Sequence, residues 1–258
     1  MTATAVRPTG LIPAARAPLA GAAHTDPIAA TSVDHPAGRA VAYERVLHQL
    51  VRREWRLLGE LVPWAPAGDA GRAATLTRHA DLIGRILLHH HAVERDAVWP
   101  ALLRAVPGDR IDAVRAAVDD WTGRCARIDR MLRDAMTAGR QWQVTGAVTV
   151  RAAFAAACRD LADAVVAQTA EEETVLLPLL DEHLDAGDWA AITRSSHCRL
   201  SGGDQLLVLG LALEDSSAED RARLLSGLSP ATRAAWRLHG RGHYRATVVR
   251  LRGAPPAA

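Results

Sequence analysis

Lysine is absent from the 258-residue chain; all 31 basic residues are arginine, set against 29 acids. The absence runs the whole length, so it reads as a compositional bias of the genome and not as a binding patch. The formal net charge of +2 gives no support for a nucleic-acid or acidic partner. Cysteine is scarce as well. Cys125, Cys158 and Cys198 are too few and too scattered for a disulfide framework, and no CxxC pair occurs. A reducing, cytoplasmic compartment fits that usage. Apolar runs are short. None reaches the roughly 18–20 residues of a membrane span, the longest candidate being Leu206–Leu213, so no membrane association is expected. The first 25 residues hold no acid, but they also lack a continuous apolar segment, which argues against a secretory signal. Pro8, Pro13, Pro18 and Pro27 interrupt any helical stripe, and residues 1–35 read as a disordered leader.

Strand-like alternation is also missing. Ala, Leu, Arg and Glu dominate, which favours helix throughout, and 49% apolar residues can fill a sizeable core. The most informative stretch is 82–103, LIGRILLHHHAVERDAVWPALL. Ile83, Ile86, His90, Glu94, Ala97 and Ala101 step by three or four and share one helix face. That face is apolar apart from His90-x-x-x-Glu94, an imidazole and a carboxylate one turn apart. Buried polar groups of this kind need a partner or a metal. The pair can satisfy itself by hydrogen bonding, so this stretch alone leaves both readings open.

Helix one is expected over 38–62, with an inward stripe of Val41, Glu44, His48, Val51, Trp55, Leu58 and Val62, stopped by Pro63 and Pro66. Helix two covers 72–105, with Pro100 kinking or ending it. Helix three covers 109–138, with Val114, Val118, Trp121, Cys125, Ile128 and Leu132 inward and Gly139 as terminator. Helix four covers 147–185, with Leu161, Val165, Gln168, Glu172, Val175 and Leu179 in register. These helices hide a repeat. Aligning Pro100 with Pro178, an offset of 78, places Glu94 on Glu172 and His90 on Gln168. An offset of 77 places His48 on Cys125. Two copies of a helical hairpin, each with one apolar face, bury those faces as a four-helix bundle. His48, His90, Glu94, Cys125, Gln168 and Glu172 then meet in its middle.

This pattern over about 40–185 resembles the hemerythrin-like family of HHE cation-binding domains. The resemblance implies an all-α, up-down-up-down four-helix bundle, here over 36–185, with additional C-terminal helices over 186–258. It also implies a non-haem iron centre of one or two ions, with zinc or manganese as alternatives that suit the donors. A proline six residues after the glutamate, as in Glu94/Pro100 and Glu172/Pro178, is shared with that family. His48, His90 and Glu94 match its first half, and Glu172 matches the second-half carboxylate, with Glu173 as a rival. Cys125 and Gln168 stand where the second half would offer imidazoles. Three outcomes follow: a mononuclear site on His48, His90, Glu94 and Glu172; a site with Cys125 thiolate as substitute ligand; or a relic held by hydrogen bonds. The implied functions are iron, oxygen or redox sensing or storage, with O2 or peroxide as partner and weak oxidase or peroxidase activity left open. A metal-free scaffold or interaction module is the competing function. A homodimer is also left open.

The other histidines are weaker candidates. His89, His91 and His79 are expected at helix boundaries or in solvent, with His91 alternatively supporting the site from behind. His239 and His243 are crowded by arginines, and His183 and His197 lack partners in register. Trp55, Trp99 and Trp121 are expected as core fillers. In the C-terminal part, Asp188 is expected to cap a helix at Trp189–His197. Gly202–Leu213 is a strongly apolar helix, Ala218–Leu225 a third, and Ser229-Pro230 opens the last. This part is expected to cover an open end of the bundle and restrict access to the site.

Overall fold

A computed structural model describes residues 36–196 and 198–253. The expected leader and His197 lie outside the described residues. The described residues form helices joined by short connections, and no strand occurs among them. Helices α1 (Pro36–Leu61), α2 (Ala70–Val93), α4 (Ile111–Thr145) and α5 (Val148–Val175) make the bundle. The short helices α3 (Trp99–Ala105) and α6 (Leu177–His183) extend α2 and α5. Each long helix packs on its two sequence neighbours around the ring, α5 closing on α1. Such packing follows from connections too short for anything but antiparallel neighbours.

The helix ends have local causes. Asp69 caps α2 by accepting the Arg72 N–H at 2.8 Å. α4 runs past Gly139 and stops at Gly146, whose φ of 62° is the left-handed conformation a helix C-terminus favours. Gly139 therefore does not terminate the helix. Its missing side chain admits the Phe154 ring, since a Cβ there would stand 3.1 Å from Phe154 Cε2. The two prolines act differently. Before Pro100 the helix continues through a π turn, Glu94–Val98, in which Trp99 N–H bonds to Glu94 C=O. The extra residue lets the chain pass a proline that cannot donate. Before Pro178 the helix breaks at Leu176 and restarts. That break resets the register, so Leu176, Leu177 and Leu180 are buried while Val175 is exposed and Leu179 only half-buried.

The core is two apolar clusters with a polar layer between them. One cluster carries Trp55, Ile83, Leu132 and Val165; the other carries Trp99, Trp121, Leu102 and Leu180. The layer between is built from α1, α2 and α5. The expected inward stripes of α1 and α4 are buried throughout.

The C-terminal helices are α7 (Ala186–Ser195), α8 (Gly202–Glu214), α9 (Ala218–Gly227), α10 (Pro230–Ala235) and α11 (Arg241–Arg252), the last two joined by a π turn at Trp236–Gly240. Asp185, not Asp188, caps α7, accepting the Asp188 N–H at 2.8 Å. Ser229 caps α10 by accepting the Thr232 N–H. The extension lies along α1, with α7, α8 and α9 all packing on it, so it covers a flank of the bundle and not an open end. α8 and α11 touch at Gly210, where a Cβ would stand 2.4 Å from Tyr244 Cγ.

A buried ion network pins the extension down. Glu54 of α1, wholly buried, accepts from His79 at 2.7 Å, Arg53 at 2.6 Å and Arg252 at 2.7 Å. Arg252 also meets Glu214 at 2.6 Å. His79 is thus a buried partner of Glu54 and not a boundary residue; the pairing spans two helices and is invisible to the periodicity of either.

Two outcomes test this packing. Gly210→Ala forces Tyr244 aside and is expected to lower stability by about 1–3 kcal/mol, read by chemical denaturation. Burial opposes the Glu54 charge, but His79 first, then Arg53 and Arg252, outweigh it and bring its carboxyl from 4.5 down to about 2. A lowered carboxyl contributes stability that is complete above its unfolded value and disappears as pH falls through the folded one. Stability is therefore expected to drop between pH 4.5 and 2. In Glu54→Gln that acid slope flattens, and stability at pH 7 falls by about 3–5 kcal/mol, because the cations lose their buried partner.

Candidate metal centre

Five side chains of the polar layer converge: Glu44 and His48 from α1, His90 from α2, Glu94 at the start of the π turn, and Glu172 from α5. One donor atom from each lies within 4.8 Å of all the others, and all five residues are buried. Helical spacing does the positioning. Glu44-x-x-x-His48 and His90-x-x-x-Glu94 each stack two donors on one face, one turn apart. Among the described residues, this is the one His/Cys/Asp/Glu group able to surround an ion.

His48 Nδ1 lies 3.0 Å from Glu173 Oε1 and Nε2 lies 3.3 Å from Glu172 Oε1. With the Nδ1 proton donated to Glu173, the Nε2 lone pair faces the cluster. Glu173 in turn meets Arg52 Nη2 at 3.0 Å. His90 places Nδ1 3.4 Å from Glu44 Oε2 and Nε2 3.2 Å from Glu94 Oε2. The His48 and His90 rings meet edge to face, centroids 5.4 Å apart.

The unsatisfied atoms carry the chemistry. Glu44 Oε2, His48 Nε2, His90 Nε2, both Glu94 oxygens and Glu172 Oε1 are buried without a hydrogen-bond partner. Buried polar atoms are ordinarily paired, and each orphan costs about 1–3 kcal/mol. Five residues each bring one donor atom to a common space, with only contacts of 3.2–3.4 Å among these atoms, an arrangement suited to a cation.

The electrostatics agree. Burial, then the Glu172 charge, pushes the Glu44 carboxyl up to about 8. Burial, with Glu172 and Glu44 adding to it, holds the Glu94 carboxyl well above the usual carboxylate range. Burial works against the His48 imidazolium, but Glu172 outweighs it and raises His48 to about 9. Burial and the neighbouring His48 hold His90 well below its usual range. Glu172 is opposed by burial yet held well below the usual range by His48. The cluster thus keeps protons where a cation would otherwise sit. Three ionised carboxylates bring three negative charges into the core, and a divalent ion cancels two of them.

The remaining sequence-derived candidates fall outside the converging set. Gln168 is buried and donates Nε2–H to Glu172 Oε2 at 2.6 Å. Trp121, expected only as a core filler, donates Nε1–H to the same oxygen at 2.9 Å. Cys125 is buried in the adjacent apolar cluster, and burial, reinforced by Glu172 and Asp129, holds its thiol far above the thiolate-forming range. Glu173 sits at the rim on His48. His91 is wholly buried, not solvated, with Nδ1 2.7 Å from Asp129 and its ring edge-on to Trp121. His239 and His243 are exposed and join no cluster.

Glu44 was missed as a donor by the sequence reading, although it stood in the inward stripe of helix one. The signal was its spacing: Glu44-x-x-x-His48 mirrors His90-x-x-x-Glu94. The repeat offset of 77 also sets Glu44 against Trp121. In the second half Trp121, Cys125 and Gln168 stand at the positions of Glu44, His48 and His90, and only the carboxylate, Glu172, matches. Two of those three residues hold that carboxylate by hydrogen bonds.

The family model described as the hemerythrin HHE cation binding domain matches residues 39–180. No curated protein and no solved structure matches the chain. The matched segment covers more than half of the sequence and contains all five converging residues, and the chain belongs to the hemerythrin HHE cation-binding domain family.

Proposed function

We propose that the chain binds one non-haem iron ion through Glu44, His48, His90, Glu94 and Glu172, in iron, oxygen or redox sensing or in storage. The observation that carries this reading is the convergence of five buried residues, one donor atom from each, on one space where those atoms lack good hydrogen bonds. A set of two imidazoles and three carboxylates is hard and oxygen-rich, which suits Fe(II) or Mn(II) better than zinc.

The hydrogen bonds on Glu172 support a count of one ion. Its Oε2 accepts from both Trp121 and Gln168, so only Oε1 is left to face the centre. A carboxylate with one oxygen engaged in this way cannot bridge two ions through both of its oxygens. With the Cys125 thiol outside the converging set and the Gln168 amide N–H on Glu172, the histidine-equivalent positions of the second half offer no imidazole, only the Gln168 amide oxygen.

The protein's own groups do the orienting. Glu173 fixes the His48 tautomer, and Arg52 holds Glu173. Trp121 and Gln168 fix the rotation of Glu172. The π turn places Glu94 on the His90 face while letting the helix pass Pro100. Fe(II) in such a site supplies one-electron chemistry toward O2 or peroxide where a coordination position is left open. Surrounding apolar clusters keep water from the buried donors.

The test is metal content after anaerobic Fe(II) loading and desalting. Wild type is expected to retain about one iron per chain, and His90→Ala and Glu44→Ala to lose it, with Cys125→Ser unchanged. Trp121→Phe keeps the ring but removes the donor to Glu172, and is expected to weaken iron binding by about 10–100-fold. Wild type without retained metal would leave the chain as a metal-free helical scaffold, and iron retained equally by His90→Ala and Glu44→Ala would remove these five residues as its ligands.

A further inference from the structure

The C-terminal extension forms a partly open cavity of about 50 Å³ against the α1–α2 flank. Its bundle side carries Val46, Leu50 and Ile86, and its extension side Leu200, Val208, Ala212 and Leu224. The His90 ring completes the wall. One imidazole therefore borders both the converging donors and the cavity. Every extension residue on the wall lies beyond residue 180, where the family match ends. The cavity is an addition of this chain to the family's domain.

Its chemistry is apolar. Eight of the twelve lining residues are aliphatic, and no arginine or carboxylate is among them. The polar side chains on the wall are Tyr43, His89, His90 and Cys198, and most of the lining surface is apolar. Ions are excluded by the cost of leaving water unpaired. Size narrows the class further. An apolar cavity of about 150 Å³ stays dry and accepts benzene or xenon. The present cavity is about a third of that, which suits a molecule of two or three heavy atoms better than a ring.

We propose that this cavity binds a small uncharged apolar molecule, of the size of a dissolved gas, at the His90 edge of the candidate centre. Its use by the centre rests on the cation-binding reading; the binding itself does not, because the wall is complete without a metal. The extension thus serves as one half of a ligand pocket, with α8 and α9 supplying the side that the four-helix bundle lacks.

Xenon is the probe, followed by the 129Xe chemical shift on the full-length protein, both metal-free and Fe(II)-loaded. Saturable binding is expected in both preparations. Ala212→Leu fills part of the cavity and is expected to weaken xenon binding by about tenfold. Leu224→Ala enlarges it and is expected to strengthen binding. Opposite responses cannot both arise from damaged folding. Absence of saturable binding, or binding unmoved by either variant, would overturn the proposal. Xenon uptake by a protein that takes up no iron would overturn the cation site and leave the cavity standing; iron uptake without xenon would do the reverse.

Discussion

Burying three carboxylates beside two imidazoles in a helical core is the constraint on which this structure turns. Each uncompensated buried charge costs several kcal/mol, comparable to a good part of a domain's net stability. The surrounding helices do not relieve that cost with arginine: Arg52 stops at Glu173 on the rim, and Arg53 and Arg252 serve Glu54 elsewhere. Without a cation, relief comes from protons, held on the carboxyls of Glu44 and Glu94 and on His48. The apolar clusters on either side give the layer a low-dielectric surrounding, which raises the cost and sharpens the demand for a cation.

The internal repeat explains the site's asymmetry. One hairpin supplies four donors and the other supplies one. Where the first half has Glu44 and His90, the second has Trp121 and Gln168, both turned to Glu172 as hydrogen-bond donors. The two halves of the repeat thus differ in role, one carrying most of the converging donors and the other holding Glu172 in place. The extension adds a second asymmetry. It lies over the α1–α2 flank, on the donor-rich half, pinned through Glu54, Arg252 and Glu214, and it brings an apolar cavity to His90.

Much of this was legible in the sequence because helical periodicity is a strong local constraint. The stripes of α1 and α4, the His90–Glu94 stack and the matching prolines all follow from spacing alone. Relations across helices were not. His79 reads as a boundary residue until Glu54 is seen opposite it. Gly139 reads as a terminator because its reason, the Phe154 ring, comes from another helix. Cys125 and Gln168 occupy ligand positions by alignment, yet what they do depends on neighbours: the thiol packs in an apolar cluster and the amide binds a carboxylate. Glu172 and Glu173 differ by about 100° around the helix, which sends one to the centre and the other to the rim. Glu44 was overlooked although its spacing to His48 was in view, because the family resemblance directed attention to other positions.

The most direct measurement of the central claim is an anomalous difference map at the iron edge from crystals of the Fe(II)-loaded protein. The account predicts one peak, within bonding distance of His48 Nε2, His90 Nε2 and Glu172 Oε1, with Gln168 and Trp121 still on Glu172 Oε2. Two peaks sharing Glu172, a peak bound to Cys125, or no peak within the polar layer would contradict it.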